Sequence, residues 1–374
     1  MNNNRDENND DDFGLNLLRF GSVLLVLFGH LMLFRPSVSI ISSQLAPLFG
    51  FLGVEVLLVL CGFLIGKQVY TLLIAGNSSP NSAIFSFFKR CAWRVLPLYY
   101  LVLLLVVLTS RIIGYTDAST WKYFFFIQNF GSAMPIFFPE SWSIPIVFFG
   151  CVILVFSVRL LVKMLPSISK STLFFITTVG VLLLSFLCKY LYYLHYGAIS
   201  LMEWDQNIKS VVIFRLDSFF VGVLCVWVYY TCSSFWINFR KPLSFVGILL
   251  MVLLFIGVGY FRFFIDSQAF FWEVLYLPLT SISIALTFPL VYQLRSNSIV
   301  IKKLLSFLGK FSLGMFLIHY SIVLLVLDYF MLISQLSAPI FFGFVVIYLT
   351  IVIVSSFILH RFFEMPIFRW GTKN

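Results

Sequence analysis

The sequence predicts an all-α fold: a polytopic membrane helix bundle with about ten transmembrane helices and both termini cytoplasmic. Three observations predict it. Of the 374 residues, 61% are hydrophobic and only 11% are charged, a balance foreign to soluble domains. Apolar runs of about 20 residues recur along the chain, each long enough to cross a bilayer as a helix. The cations sit between those runs and are dense in alternate loops. The formal charge of +10 therefore reads as positive-inside topology and not as a nucleic-acid surface. The bilayer is the first partner the composition implies, and no nucleic acid is expected.

Residues 1–12, MNNNRDENNDDD, are polar and acidic and read as a disordered tail. They lack the basic start and short apolar core of a cleavable signal. One transmembrane domain is expected over 13–370, with a short tail at 371–374. The spans fall near 15–34, 46–65, 95–109, 143–162, 172–188, 211–230, 243–261, 273–293, 312–332 and 338–358. One set of loops carries Lys67, Lys89, Arg90, Arg94, Lys163, Lys170, Arg240, Lys241, Arg295, Lys302, Lys303 and Lys310, with Arg361, Arg369 and Lys373 after the last span. The other set holds Arg35, Arg111, Lys122, Lys189, Lys209 and Arg262. The richer set belongs in the cytoplasm.

The first span, NLLRFGSVLLVLFGHLMLF, carries only two strongly polar side chains, Arg19 and His30. A charge in mid-membrane costs roughly 2.5–3.5 kcal/mol on insertion scales, so both are functional candidates. Eleven helical steps of about 100° return within roughly 20° of the start, so the two share a face about 16 Å apart along the axis. Alternatively, Arg19 snorkels to a membrane surface and His30 hydrogen-bonds inside a bundle. Span two brings Glu55, and span six brings Arg215 and Asp217, to a depth similar to that of His30. Buried ions this costly pair or line a wet cavity, and Arg215 with Asp217 or Glu55 is the expected pair.

Gly62 and Gly66 form a GxxxG step that lets a neighbouring helix approach. The loop GNSSPNS reads as a flexible turn. In FSFFKRCAWRVLPLYY, Lys89, Arg90 and Arg94 are either a topology anchor or a docking surface for a phosphorylated cytosolic donor. WKYFFFIQNF either lies in the interface or folds back over a cavity. PESWSIP follows with Glu140, Ser141 and Trp142. His319 sits in mid-span, as a core or a functional histidine. The six cysteines, at 61, 91, 151, 188, 225 and 232, show no metal or CxxC spacing and read as small buried hydrophobes. No P-loop, Rossmann fingerprint, HExxH or GxSxG is present, and no bound cofactor or metal is expected.

In order along the chain, several segments resemble the acyltransferase-3 family of integral-membrane O-acyltransferases. LLRFGSVLLVLFGH resembles its first-helix signature, an Arg, ten residues and a His. FLGVEVLLVLCGFLIG resembles the second-helix element, with Glu55 at its acidic position. FFKRCAWRVLPLYY, PESWSI, FRLDSFFVGVL, LGKFSLGMFLIHYSIV and RFFEMPIFR resemble the later elements, so that nearly the whole chain is covered. Three departures stand out. The paired Glu of the family's WSLxxEE element fall at Val147 and Phe148, Cys91 replaces an Arg, and Cys61 replaces a Ser. Loss of the Glu pair implies an altered acceptor site or a silent member; retention of Arg19 and His30 favours activity.

The resemblance implies an O-acyltransferase, most simply an O-acetyltransferase, of the cell inner membrane. It would take the acyl group from cytosolic acyl-CoA, a donor substrate and not a resident cofactor. The acceptor would be a hydroxyl of an extracytoplasmic or lipid-linked glycan such as O-antigen, capsule or exopolysaccharide. In that reading His30 is the general base or an acyl carrier, Glu55 or Asp217 orients it, and Arg215 steadies the oxyanion. Arg19, Lys89, Arg90 and Arg94 bind the donor; Glu140, Ser141, Trp142 and His319 bind the acceptor. The chain ends soon after span ten, so no fused hydrolase-like domain is expected. A non-enzymatic transporter or flippase and a membrane scaffold are the competing classes.

Overall fold

A computed structural model describes residues 13–34, 40–76, 80–115, 119–259, 265 and 267–373. The acidic tail over 1–12, Arg35, Arg262 and the centre of the GNSSPNS turn lie outside the described residues. Those residues form helices and connecting turns with no strand among them. Among the described residues, ten helices are long and apolar enough to cross a membrane. They are α1 (Phe13–Leu33), α2 (Ile40–Tyr70), α3 (Pro80–Ile113), α4 (Ser143–Met164), α5 (Lys170–Tyr196), α6 (Val212–Thr231), α7 (Arg240–Gly259), α8 (Tyr276–Val291), α9 (Ser312–Met331) and α10 (Ala338–Leu359). A helix satisfies its backbone groups within one segment inside hydrocarbon, which is why continuous apolar runs of this length resolve this way. An even number of crossings returns the chain to the side on which it began.

The core is organised by α2 and α6. α2 packs against α1 on one side and α6 on another, and α6 also meets α5, α4 and α8. α6 is buried along most of its length, including Arg215, Asp217 and Ser218. By contrast α7 leaves Phe245, Ile248, Leu249, Val252 and Leu253 exposed, a face spaced for contact with lipid.

Glycines permit the close α2–α6 crossing. A methyl at Gly62 would lie 1.9 Å from the Phe219 carbonyl oxygen, and one at Gly222 would lie 2.0 Å from that of Val59. Gly66 faces Val223 and Val226 in the same seam. The GxxxG step thus serves an α2–α6 contact with a reciprocal glycine from α6. Gly62→Ala is expected to cost about 1–3 kcal/mol by overpacking, read as a lower melting temperature of the purified protein in detergent.

Three expectations change. The basic-aromatic stretch around Lys89–Arg94 is not a loop: it is the first half of α3, a 34-residue helix. At 1.5 Å per residue α3 spans about 50 Å, well beyond a 30 Å hydrocarbon slab, so its charged end needs no loop. Lys189 is not in a loop either, because α5 continues eight residues past the predicted end and buries it completely. Third, the segment carrying Lys302 and Lys303 is an amphipathic helix, Ile299–Lys310, lying against α1.

The aromatic segment after α3 folds back onto the bundle. A single helical turn, Trp121–Phe124, leads into a loop in which the Asn129 carbonyl accepts from Val212 N at 2.9 Å. Phe130 O accepts from Ile213 N at 3.3 Å, and Met134 N donates to Gln206 O at 3.1 Å. The first two bonds satisfy donors that the first turn of α6 would otherwise leave open. They also bring the 139–142 segment beside α6 and α9.

Candidate active site

α1 and α9 run in the same direction, side by side. Gly309, just before α9, lies against Asn16 and Arg19: a methyl there would sit 2.9 Å from Asn16 Oδ1 and 3.8 Å from Arg19 Nη1. His319 follows Gly309 by ten residues and His30 follows Arg19 by eleven, so both helices rise about 15–16 Å to the same level. There the two histidines meet. His30 Nδ1 and His319 Nε2 are 2.8 Å apart, and the rings stack with centroids at 5.0 Å. His319 is fully buried; His30 is half-buried.

The proton positions follow from one carbonyl. His319 Nδ1 lies 2.7 Å from the Phe316 carbonyl oxygen, which can only accept, so Nδ1 carries a proton. With both rings neutral, His319 Nε2 then accepts and His30 Nδ1 donates. His30 Nε2 is left with its lone pair. The chain Phe316 carbonyl, His319, His30 therefore fixes a tautomer suited to taking a proton. His319→Phe keeps a ring but removes the acceptor. Its expected effect is a roughly 10- to 100-fold fall in kcat, part of what a general base supplies. His319→Gln, which restores an acceptor oxygen, should recover activity that His319→Phe loses.

A π-helical turn, His319–Leu324, breaks α9 at this point; such bulges often accompany functional sites. Glu140 pins it from the PESW turn. Its carboxylate accepts from Ser321 N at 2.9 Å and Ser321 Oγ at 2.7 Å. The structure thus gives Glu140 a holding role on the His319 turn. Ser141 Oγ donates to the Phe138 carbonyl at 2.7 Å and is fully buried. Neither presents an open polar edge. Trp142 is also buried, its ring flanked by Lys209 Nζ at 5.7 Å and Arg215 Cζ at 5.9 Å. Its carbonyl accepts from Asn129 Nδ2 at 2.9 Å. Lys209 also lies within electrostatic reach of His30.

A second polar centre joins α2, α5, α6 and α8. Arg215 pairs with Glu55, both fully buried, and its Nη2 also donates to Ser218 Oγ at 2.8 Å. Ser281 Oγ lies 3.1 Å from Glu55 Oε2 and 2.9 Å from Ser218 Oγ. Asp217 does not pair with Arg215; it pairs with Lys189, and accepts from Ser218 N at 2.8 Å. Of the two pairings open in the sequence, Arg215 with Glu55 is the one formed. Neither Glu55 nor Asp217 is bonded to His30, where His319 takes the orienting place. The reason is that each carboxylate already holds a cation: Glu55 pairs with Arg215 of α6 and Asp217 with Lys189 of α5. Arg215 Nε and Nη1 remain buried without protein partners.

The other candidates lie elsewhere. Arg19 Nη1 donates to Asn16 Oδ1 at 3.2 Å and is half-buried. On α3, Arg90 and Arg94 are exposed and Lys89 is half-buried. Trp93, in the same stretch, packs edge-on against Trp370 at 5.4 Å. At the family's Glu-pair positions, Val147 is half-buried, and Phe148 stacks on Phe126 with centroids 5.0 Å apart. Aromatic packing replaces charge there.

Fold and site together define a polytopic helical membrane protein with a paired-imidazole centre reaching across two parallel helices. The acyltransferase-3 family, an acyltransferase domain, matches residues 12–361, nearly the whole chain. The chain belongs to that family and is a membrane acyltransferase. No curated protein and no solved structure matches it.

Proposed function

We propose that this acyltransferase moves an acetyl group from cytosolic acetyl-CoA to a hydroxyl of an extracytoplasmic or lipid-linked surface glycan. The reading takes the cell inner membrane as its location and the cytoplasm as the side of both termini, the orientation that the loop cations favour. The observation that carries it is the chain from the Phe316 carbonyl through His319 to His30 Nδ1, which leaves the lone pair of His30 on Nε2. A sugar hydroxyl is a poor nucleophile near neutral pH. As its oxygen attacks the thioester carbonyl, His30 Nε2 takes the hydroxyl proton; the C–S bond then breaks, and the thiolate of CoA receives that proton from the imidazolium.

Arg215, with two buried N–H groups unclaimed by protein, is suited to the negative charge that builds on the carbonyl oxygen. Arg19, on the His30 face of α1, would hold the donor's polar arm, and Lys89, Arg90 and Arg94 its phosphates. In this reading His319, bonded to His30 and to the Phe316 carbonyl, positions the base and does not bind the acceptor. Mass spectrometry of surface glycans from cells with and without the gene tests the assignment. The expected result is one acetyl group per modified unit, present only with the gene. Identical glycan masses in the two strains would remove the glycan acceptor, and release of no CoA by the purified protein would remove the transfer reaction itself.

A further inference from the structure

Tyr320 follows His319 and places its ring 5.0 Å from that of His30. The same tyrosine lines a cavity of about 580 Å³ at the end of the bundle where α3 stops. Ligand sites commonly hold roughly 300–1,000 Å³. The end of α3 contributes Tyr115, the segment before the PESW turn contributes Phe137, and α9 contributes Asp328 and Tyr329.

Two polar groups in this cavity stand out. The Tyr115 hydroxyl is buried and has no protein partner. Burial, and secondarily the nearby Glu140 carboxylate, raise its pKa, so it keeps its proton and remains a donor. A buried donor without a partner is rare in a folded chain and calls for an explanation. Asp328 accepts from Ile333 N through Oδ1 at 2.9 Å. That bond fixes the carboxylate at the end of α9 and leaves Oδ2 for a second partner.

We propose that this cavity is the acceptor subsite, and that it holds one pyranose ring of a saccharide one aromatic ring away from His30. A pyranose has apolar C–H faces and a rim of hydroxyls. The faces suit tyrosine rings, whose π surfaces attract C–H edges. The rim suits one donor, Tyr115, and one carboxylate acceptor, Asp328. The assignment rests on the acyl-transfer reading for the word acceptor, while the saccharide chemistry comes from the cavity itself.

The test is saturation-transfer NMR on the full-length protein in detergent, with the methyl pyranosides of glucose, galactose, mannose and rhamnose and no acyl donor. At least one should bind the wild type. Tyr115→Phe removes a hydroxyl that bonds nothing in the protein, so folding is untouched and saccharide affinity should fall about 3- to 10-fold. Asp328→Asn keeps the oxygen that accepts from Ile333 N and should weaken binding similarly. Binding of none of the four glycosides, or unchanged affinity in both Tyr115→Phe and Asp328→Asn, would overturn the assignment. A wild type that binds a glycoside yet transfers no acyl group would strike the catalytic reading alone.

Discussion

His30→Ala is expected to lower kcat for acyl transfer by about 100- to 10,000-fold, the range a positioned general base supplies. The loss should appear in kcat with the KM for acetyl-CoA little changed, because His30 meets the reacting hydroxyl and not the donor's arm. The substitution also strips His319 Nε2 of its bonded neighbour across the helices. A buried acceptor left open costs about 1–3 kcal/mol, so a modest fall in melting temperature accompanies the loss. Steady-state kinetics on purified protein, beside a thermal melt in the same detergent, separates the two effects. A variant that melts within a few degrees of wild type yet has lost two or more orders of magnitude in kcat meets the expectation. A variant with near-normal turnover refutes both the base and the acyl-carrier roles.

Arg215→Met is expected to destabilise the bundle by about 3–5 kcal/mol, because it strands the Glu55 carboxylate in a fully buried site. Ser281 Oγ, 3.1 Å from Oε2, would remain beside it. Replacing both charges with apolar side chains of similar volume, Glu55→Leu with Arg215→Met, should recover most of that stability, as buried pairs so replaced are often neutral. Activity separates a structural pair from a chemical one. The double variant should stay folded but transfer acyl groups slowly, since the unclaimed Nε and Nη1 of Arg215 disappear with it. Full activity in a stable double variant would make the pair purely structural.

Much of this architecture is legible in the residue pattern, because hydrocarbon permits so few backbone solutions. All ten spans, the GxxxG step of α2 and the intramembrane charges at 55, 215 and 217 can be read from the residue pattern, whereas α6 as the partner of that step, with its own Gly222, emerges only in the fold. Partner choice is harder, since it depends on helix rotation and depth and not on spacing along one helix. Asp217 sits two residues from Arg215, so the two point to different sides of α6, and each finds a partner on a different helix. Lys189 was the available signal for the Asp217 partner: a lysine inside the apolar run LCKYLYY is costly unless paired. The His30–His319 pair joins residues 289 positions apart. Its only hint in the sequence is that two spans running in the same direction each carry one histidine. Glu140 shows the reverse difficulty, since a carboxylate near a bundle end looks like a ligand group until Ser321 is seen to occupy both oxygens.

The central claim is that a lone pair on His30, set by His319, accepts the proton that permits acyl transfer. The most direct measurement uses proteoliposomes of wild type and His30→Ala, radiolabelled acetyl-CoA on the Arg19 side, and the purified surface glycan on the His30 side. The predicted result is base-labile label on the glycan with wild-type protein and at least a hundredfold less with His30→Ala. Equal labelling by the two proteins would contradict the account.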